Sequence, residues 1–429
     1  MSEINNQNNK ESLERVAANG LINRRHLLGL GLAGAGGLIS HSVLAADSSR
    51  VEIPAWSKMP GRDPSGYGSP SSFVGSYQRL AGAPNAVLPG SGVSRTPLHL
   101  LQGNITPNSL HFERHHSGIP AIDPAQHRLV IHGMVRQPLE FSYEDLLAYP
   151  MQSRIYFLEC SGNSGANTSA TAGDSSAAAI HGLLSCSEWT GVSLATLLDE
   201  AGIAEGATWV TSTGADGASM GRSIPLNKAL RDVFIALYQN GEPIRPEQGY
   251  PMRLFVPGWE GNVSVKWLTQ IKLADSPANF RDETSKYTDL LPDGKALQFT
   301  FPMGVKSLIT SPSGQMSLRR QGLHEVSGVA WSGSGAISRV EVSADGGRSW
   351  ADAHLDGTGQ DLALTRFRIP WIWEGGPAVL QSRATDSAGQ VQPTRAMVLA
   401  NYDATNRYHF NGIQSWSVSA QGEVKNVYA

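Results

Sequence analysis

Cysteine is nearly absent from this chain: Cys160 and Cys186 are the only two among 429 residues. Two thiols cannot build a disulfide scaffold, and no CxxC pair supplies the close ligand spacing of a structural zinc site. No CxxCH occurs, so the chain carries no attachment motif for a c-type haem. Charge is sparse and balanced, with 34 Lys and Arg against 37 Asp and Glu. Without a basic excess there is no electrostatic footprint for nucleic acid. Apolar runs are short as well. None reaches the roughly 18 residues of a membrane span in the body of the chain.

What is abundant is glycine, 46 residues, beside 24 prolines and ten tryptophans, a composition suited to a β-rich globular protein. The start of the chain is distinctive. Arg24-Arg25 precede an apolar, glycine-diluted stretch that ends in Val43-Leu44-Ala45. This reads as an export leader with a small-residue cleavage site, and the arginine pair fits the twin-arginine route. A buried amphipathic helix is the competing reading. The twin-arginine route carries folded protein, which suits an enzyme that receives a cofactor before export. Residues 1–46 are therefore expected to be a twin-arginine signal peptide, and the mature protein is expected to be periplasmic.

Residues 47–95, rich in Pro, Gly and Ser, read as an extended arm. Residues 96–301 mix short strands with helices. In "FSYEDLLAYP", Ser142 and Asp145 form a capping-box pattern and Pro150 is a stop. In "GVSLATLLDEAGI", Ser193 is placed to cap and Gly202 to terminate a helix. From about Met303 the pattern changes to short alternating strands, with Asp345-Gly346-Gly347 as a hairpin turn. Residues 302–405 are expected to be an immunoglobulin-like β-sandwich and 406–429 a tail. The fold class is α+β followed by a sandwich.

The stretch "RIYFLECSGNSGAN" ends a strand-like run at Cys160 and continues into a loop of small residues. Three readings of Cys160 compete: a buried small hydrophobe, a nucleophile beside a base, or a thiolate ligand to a soft metal centre. Elsewhere, "GYPMRLFVPGWEGNVSVKWL" places Arg253 and Lys266 in apolar surroundings. A buried cation without an anion is costly, so these two, with Arg114, suit an anionic cofactor such as a phosphate-bearing pterin. Paired structural cations are the alternative.

Taken together these segments resemble the sulfite oxidase family of molybdenum enzymes. Phe112, Arg114, His115 and His116 ahead of Pro120 are similar to one family motif. Cys160-Ser161-Gly162-Asn163 is similar to a second, and Arg253, Pro257-Gly258 and Ser264-Val265-Lys266-Trp267 to a third. "RDETSKYTD" resembles the segment that carries an active-site tyrosine, here Tyr287. Within the family, "EQGYPMRLFVPGWEG" resembles the molybdenum subunits of sulfane dehydrogenases of the Sox thiosulfate-oxidising pathway.

The resemblance implies a molybdopterin cofactor with one dithiolene, Cys160 as its protein ligand, and Arg114 and Tyr287 as catalytic partners. It implies cofactor binding by Phe112, Glu113, Arg114, His115, His116, Asp216, Gln248, Arg253, Ser264, Val265 and Lys266. Cys186 matches no ligand position and is expected to be a packing residue. The implied activity is oxygen-atom transfer to carrier-bound sulfane sulfur, with electrons passed to a c-type cytochrome. A sulfite dehydrogenase is the alternative. The sulfur-carrier protein and the cytochrome are the implied partners. The sandwich is implied to hold a homodimer; Trp331 and Trp350, near strand ends, are read either as apolar contact area for it or as core residues.

The sequence departs from the family pattern in three places. His115 stands where Asn is usual, and Gln248 where many members have His. Ser164 and Gly165 stand where sulfite oxidases carry basic residues. The last departure is expected to remove a cation and widen the entrance, favouring a carried sulfane over free sulfite.

Overall fold

The computed structural model describes residues 16–22, 53–75, 77–357 and 359–429. The arginine pair at 24–25 and the leader's cleavage site lie outside the described residues. Among the described residues, no helix is long and apolar enough to cross a membrane.

The first half is built on one mixed and one antiparallel sheet. In one, the order is Leu139–Ser142, Arg128–Gly133, Leu268–Ala274, Trp209–Gly214, Gly221–Pro225. Its central pair, Arg128–Gly133 and Leu268–Ala274, is parallel and the other pairings are antiparallel. The second sheet runs Glu242–Pro243, Phe234–Gln239, Leu184–Ser193, Met151–Glu159, with Arg253–Phe255 also paired to Phe234–Gln239. The helix Tyr143–Leu147 begins with the expected capping box of Ser142 and Asp145. The helix Leu194–Ala201 ends at Gly202, whose φ of 70° is a conformation glycine adopts freely. Ser193 does not cap it through its side chain. The Leu194 amide bonds the Val233 carbonyl instead, so the first turn is tied to the neighbouring strand.

The second half is a sandwich of a four-stranded and a five-stranded antiparallel sheet. The four-stranded sheet orders Lys306–Ser311, Gly322–Trp331, Thr365–Trp373, His354–Leu355. The five-stranded one orders Ala351–Asp352, Ile337–Ser343, Ala378–Asp386, Ser415–Val418, Val424–Val427. The turn at Gly346 and Gly347 takes positive φ at both residues, as the hairpin reading requires. Residues 406–429 are not a separate tail. They supply the last two strands of the sandwich, and Trp416 among them is fully buried with its indole N–H on the Ile309 carbonyl. The alternation of "SWSV" and "VKNV" over four residues each is too short to announce a strand pair from sequence.

Val16–Ile22, which the sequence reading places inside the leader, packs on this sandwich. Leu21 and Ile22 are buried, the Ile22 amide bonds the Pro370 carbonyl, and the Trp371 indole donates to the Asn19 carbonyl at 2.6 Å.

The two halves share one apolar core. Phe157, Leu184 and Cys186 from the second sheet join Trp331, Phe367 and Trp416 of the sandwich. Trp331 is thus an interior residue, not contact area for a partner, and Trp350 is half-buried beneath the Arg383 guanidinium, 4.5 Å from its ring centre. Because Trp416 lies in this shared core, Trp416→Ala is expected to destabilise the protein by about 3–5 kcal/mol although it is close to the chain end. A urea unfolding curve measures it.

Candidate active site

The strand Met151–Glu159 sets the position of the central thiol. Its burial increases toward the end, from exposed Ser153 and Arg154 to buried Phe157, Leu158 and Glu159. Strand side chains alternate faces. Phe157 joins the core of the sandwich, and Leu158 joins a second cluster with Phe112, Trp189 and Phe255. Cys160 shares the face of Leu158. Its amide bonds the Leu183 carbonyl at 3.0 Å and its carbonyl accepts the Asn163 amide at 2.8 Å, so a tight turn follows at once. A Cβ on Gly162 would sit 4.0 Å from the Cys160 sulfur, so the turn passes close beneath the thiol.

Cys160 opens into a pocket. Phe112, Arg114, His115, His116, Asp216, Gln248, Arg253, Ser264, Val265, Lys266 and Tyr287 line it together with Cys160. Residues from five separate stretches of sequence therefore converge on the thiol. Glu113 does not line the pocket. Its carboxylate is taken up instead by Arg79 and by His115 Nε2. Five further residues line the pocket: Leu158, Met220, Gly261, Asn262 and Trp267. Leu158 was findable, because a residue two positions before Cys160 on a strand must share its side.

Arg253 and Lys266 form the cationic wall. Arg253 is 2% exposed and donates to the carbonyls of Gln248 and Ser264 at 3.0 and 2.9 Å, while its Nε has no partner. Lys266 Nζ donates to the Arg114 and Glu247 carbonyls and to His115 Nδ1 at 2.9 Å. That bond makes Nδ1 an acceptor, so His115 is the neutral tautomer with Nε2–H donating to Glu113. Among the described residues, neither cation has a carboxylate within ion-pair distance. Desolvation pulls the Arg253 guanidinium down to about 9 and holds Lys266 well below the usual lysine value. A buried and a half-buried cation held by neutral acceptors, with one N–H left over, are a site built for an anion that arrives from outside. A pterin phosphate fits that requirement.

His116 and Tyr287 form a second polar group in the pocket lining. His116 Nε2 and the Tyr287 hydroxyl are 2.8 Å apart, and the Tyr287 ring packs against Tyr408 at 5.3 Å and under the Arg222 guanidinium at 5.4 Å. Burial lowers His116 to about 4, so it is neutral at working pH, and raises Tyr287. Burial also pushes the Cys160 thiol up, with Arg114 opposing it. Among the described residues, no cluster of three His, Cys, Asp or Glu side chains is able to hold a metal. A metal beside Cys160 would take its other ligands from the cofactor, and a soft centre suits the lone thiolate.

Two expectations about the neighbouring residues resolve differently. Cys186 is fully buried in the shared core, pushed up to about 12 by desolvation, and acts as packing. Ser164 and Gly165 do not border the entrance. Ser164 is buried with its Oγ on His181 and Lys306, and a Cβ on Gly165 would lie 2.6 Å from the Arg407 carbonyl. The loop turns inward after Gly162, so a small residue at 165 makes room for the 407 backbone rather than for substrate.

Comparison with known proteins agrees with this geometry. The descriptions "Oxidoreductase molybdopterin binding domain" and "Mo-co oxidoreductase dimerisation domain" match residues 116–281 and 298–415. Mouse mitochondrial sulfite oxidase is 32% identical over 295 residues, 65% of this chain and 53% of its own length. Chicken sulfite oxidase is 32% identical over 316 residues, 67% of this chain and 68% of its own. The crystal structure of the sulfane dehydrogenase SoxCD from Paracoccus pantotrophus superposes with a TM-score of 0.85 at 43% identity, over 88% of this chain and 98% of that one. The chain belongs to the sulfite oxidase family of molybdopterin oxidoreductases. It spans about half the length of the mouse enzyme.

Two outcomes follow for the pocket. Arg253→Met is expected to lower molybdenum and pterin content per chain while raising the thermal stability of cofactor-free protein, because an unpaired buried charge is removed. Metal analysis and a melting curve on the same preparation measure both. Cys160→Ser is expected to fold normally and lose at least about 100-fold in activity, since a hydroxyl is a poor substitute for a soft thiolate; Cys186→Ser is expected to be close to wild type in turnover.

Proposed function

We propose that this chain is the molybdenum-bearing subunit of a periplasmic sulfane dehydrogenase. It would oxidise sulfane sulfur presented on a carrier protein and pass electrons to a c-type cytochrome. When bound, the cofactor supplies oxygen-atom transfer and accepts two electrons. The chain's own residues do the rest. Arg253 and Lys266 hold the cofactor's anionic end, Cys160 anchors its metal, and Arg114 and Tyr287 face the reacting atoms with charged and neutral donors. Tyr287 cannot rotate freely, because His116, Tyr408 and Arg222 surround it.

The observation that carries the substrate choice is the shortage of positive charge. Beyond Arg253 and Lys266, Arg114 is the one Lys or Arg among the residues that line the pocket. A compact sulfite dianion leaving water needs several cations. A sulfur on a carrier's cysteine brings less charge and gains affinity from protein contacts outside the pocket. The likeness to SoxCD supports the same choice. Export by the twin-arginine route and pairing of two chains through the sandwich complete the proposal.

The experiment is a steady-state comparison of kcat/KM for a carrier-bound persulfide and for free sulfite, with cytochrome c as acceptor. The persulfide is expected to win by about 100-fold, the scale of discrimination that one missing binding group carries. A ratio favouring sulfite would reassign the chain as a sulfite dehydrogenase.

A further inference from the structure

Behind Cys160, on the side away from the pocket, lies a buried ionic cluster that the proposed chemistry does not use. Glu159 is 1% exposed and makes every one of its bonds to fixed partners. Its Oε1 accepts from Lys306 Nζ at 3.1 Å and from Asn163 Nδ2 at 2.8 Å, and its Oε2 accepts the Trp331 indole N–H at 2.6 Å. Lys306 and Trp331 both belong to the sandwich. Lys306 Nζ also donates to Ser164 Oγ at 2.6 Å and to the Phe410 carbonyl at 2.9 Å, so its three protons are all engaged.

The cluster brackets the thiol on both sides in sequence: Glu159 precedes Cys160, and Asn163 and Ser164 close the turn after it. With Lys306 donating, the Ser164 hydroxyl is free to donate onward to His181 Nδ1 at 2.6 Å. His181 Nε2 then donates to Gln414 Oε1 at 2.9 Å. Burial keeps His181 neutral, as this direction of donation needs. On the opposite side there is no slack, because a Cβ on Gly261 would stand 2.9 Å from the Glu159 carbonyl oxygen.

A packed apolar joint between two domains would hold them together at lower cost, since buried ion pairs rarely add net stability. What an ion pair with directional bonds adds is position. We propose that Glu159, Lys306 and Trp331 are positioning residues through which the sandwich fixes the placement of the Cys160 sulfur. The inference rests on Cys160 being the cofactor's protein ligand. It makes the second domain part of the catalytic apparatus without contact with substrate.

The test uses the scarcity of cysteine. Cys160 is half-buried and Cys186 fully buried, so a thiol reagent applied to folded, cofactor-free protein reports on Cys160 alone. Three variants are compared: Lys306→Met, Trp331→Phe, and the double Glu159→Gln with Lys306→Met. Lys306→Met leaves Glu159 buried and unpaired, so it is expected to melt earlier. The double variant removes both charges and is expected to recover most of that loss. In both, Cys160 is expected to label about tenfold faster than in wild type, as when a charge-assisted hydrogen bond restraining a loop is lost. Trp331→Phe keeps the ring and loses one bond, so an intermediate rate is expected. In loaded enzyme, the molybdenum EPR signal of the double variant is expected to shift or broaden relative to wild type. If the double variant regains wild-type labelling and an unchanged signal along with its stability, the cluster is only a structural ion pair and the inference fails. If instead Cys160→Ser keeps wild-type molybdenum content and turnover, it is the ligand assignment that fails.

Discussion

A buried guanidinium and a half-buried ammonium, neither with a carboxylate, govern the arrangement of the pocket. Arg253 and Lys266 are held by backbone carbonyls and by one neutral imidazole, all of them weak compensation for two desolvated charges. The surrounding folds are shaped around that deficit. Arg253–Phe255 joins the sheet beside Phe234–Gln239 and lays the Arg253 guanidinium 5.3 Å from the centre of the Trp189 ring. Gly249, at φ 112°, passes within 3.0 Å of the Lys266 side chain as judged by its missing Cβ. A carboxylate in either place would satisfy the cations permanently and close the pocket to an anionic guest.

The second constraint is geometric. The strand ending at Glu159 is shared between two hydrophobic clusters, with Phe157 on one side and Leu158 on the other. Moving that strand by one residue would exchange the faces and turn Cys160 away from the pocket. The nine-residue pairing with Leu184–Ser193, from Met151 opposite Val192 to Glu159 opposite Leu184, holds the register.

Much of this was legible in the sequence, for identifiable reasons. Cys160, Arg253 and Lys266 stood out because thiols are rare and cations are out of place in apolar strands. The short helices and the Asp345-Gly346-Gly347 turn stood out because caps and positive-φ glycines are local signals. Long-range events were not legible. Glu113 sits inside the motif that reaches the pocket, yet faces Arg79, which only the path of the arm reveals. Gly165 was read as an opening and is a contact point for the Arg407 backbone, 242 positions away in the chain by subtraction of the two residue numbers. Trp331 is legible either as a surface for a partner or as core, and only the fold shows that it is core and reaches back to Glu159. In each case the deciding neighbour comes from a distant part of the chain, and no local periodicity carries that information.

The closing segment 406–410 changes how the order of synthesis bears on the cofactor. The His409 amide bonds the Ser161 carbonyl, the Phe410 carbonyl accepts from Lys306, and Tyr408 packs against Tyr287. A ribosome builds these contacts after Cys160, because they lie further along the chain. The turn that presents the thiol therefore has its full set of supports only after translation has passed Phe410. A nascent chain that stops short of this segment has no finished receptacle to fill, and insertion of the pterin has to follow its synthesis.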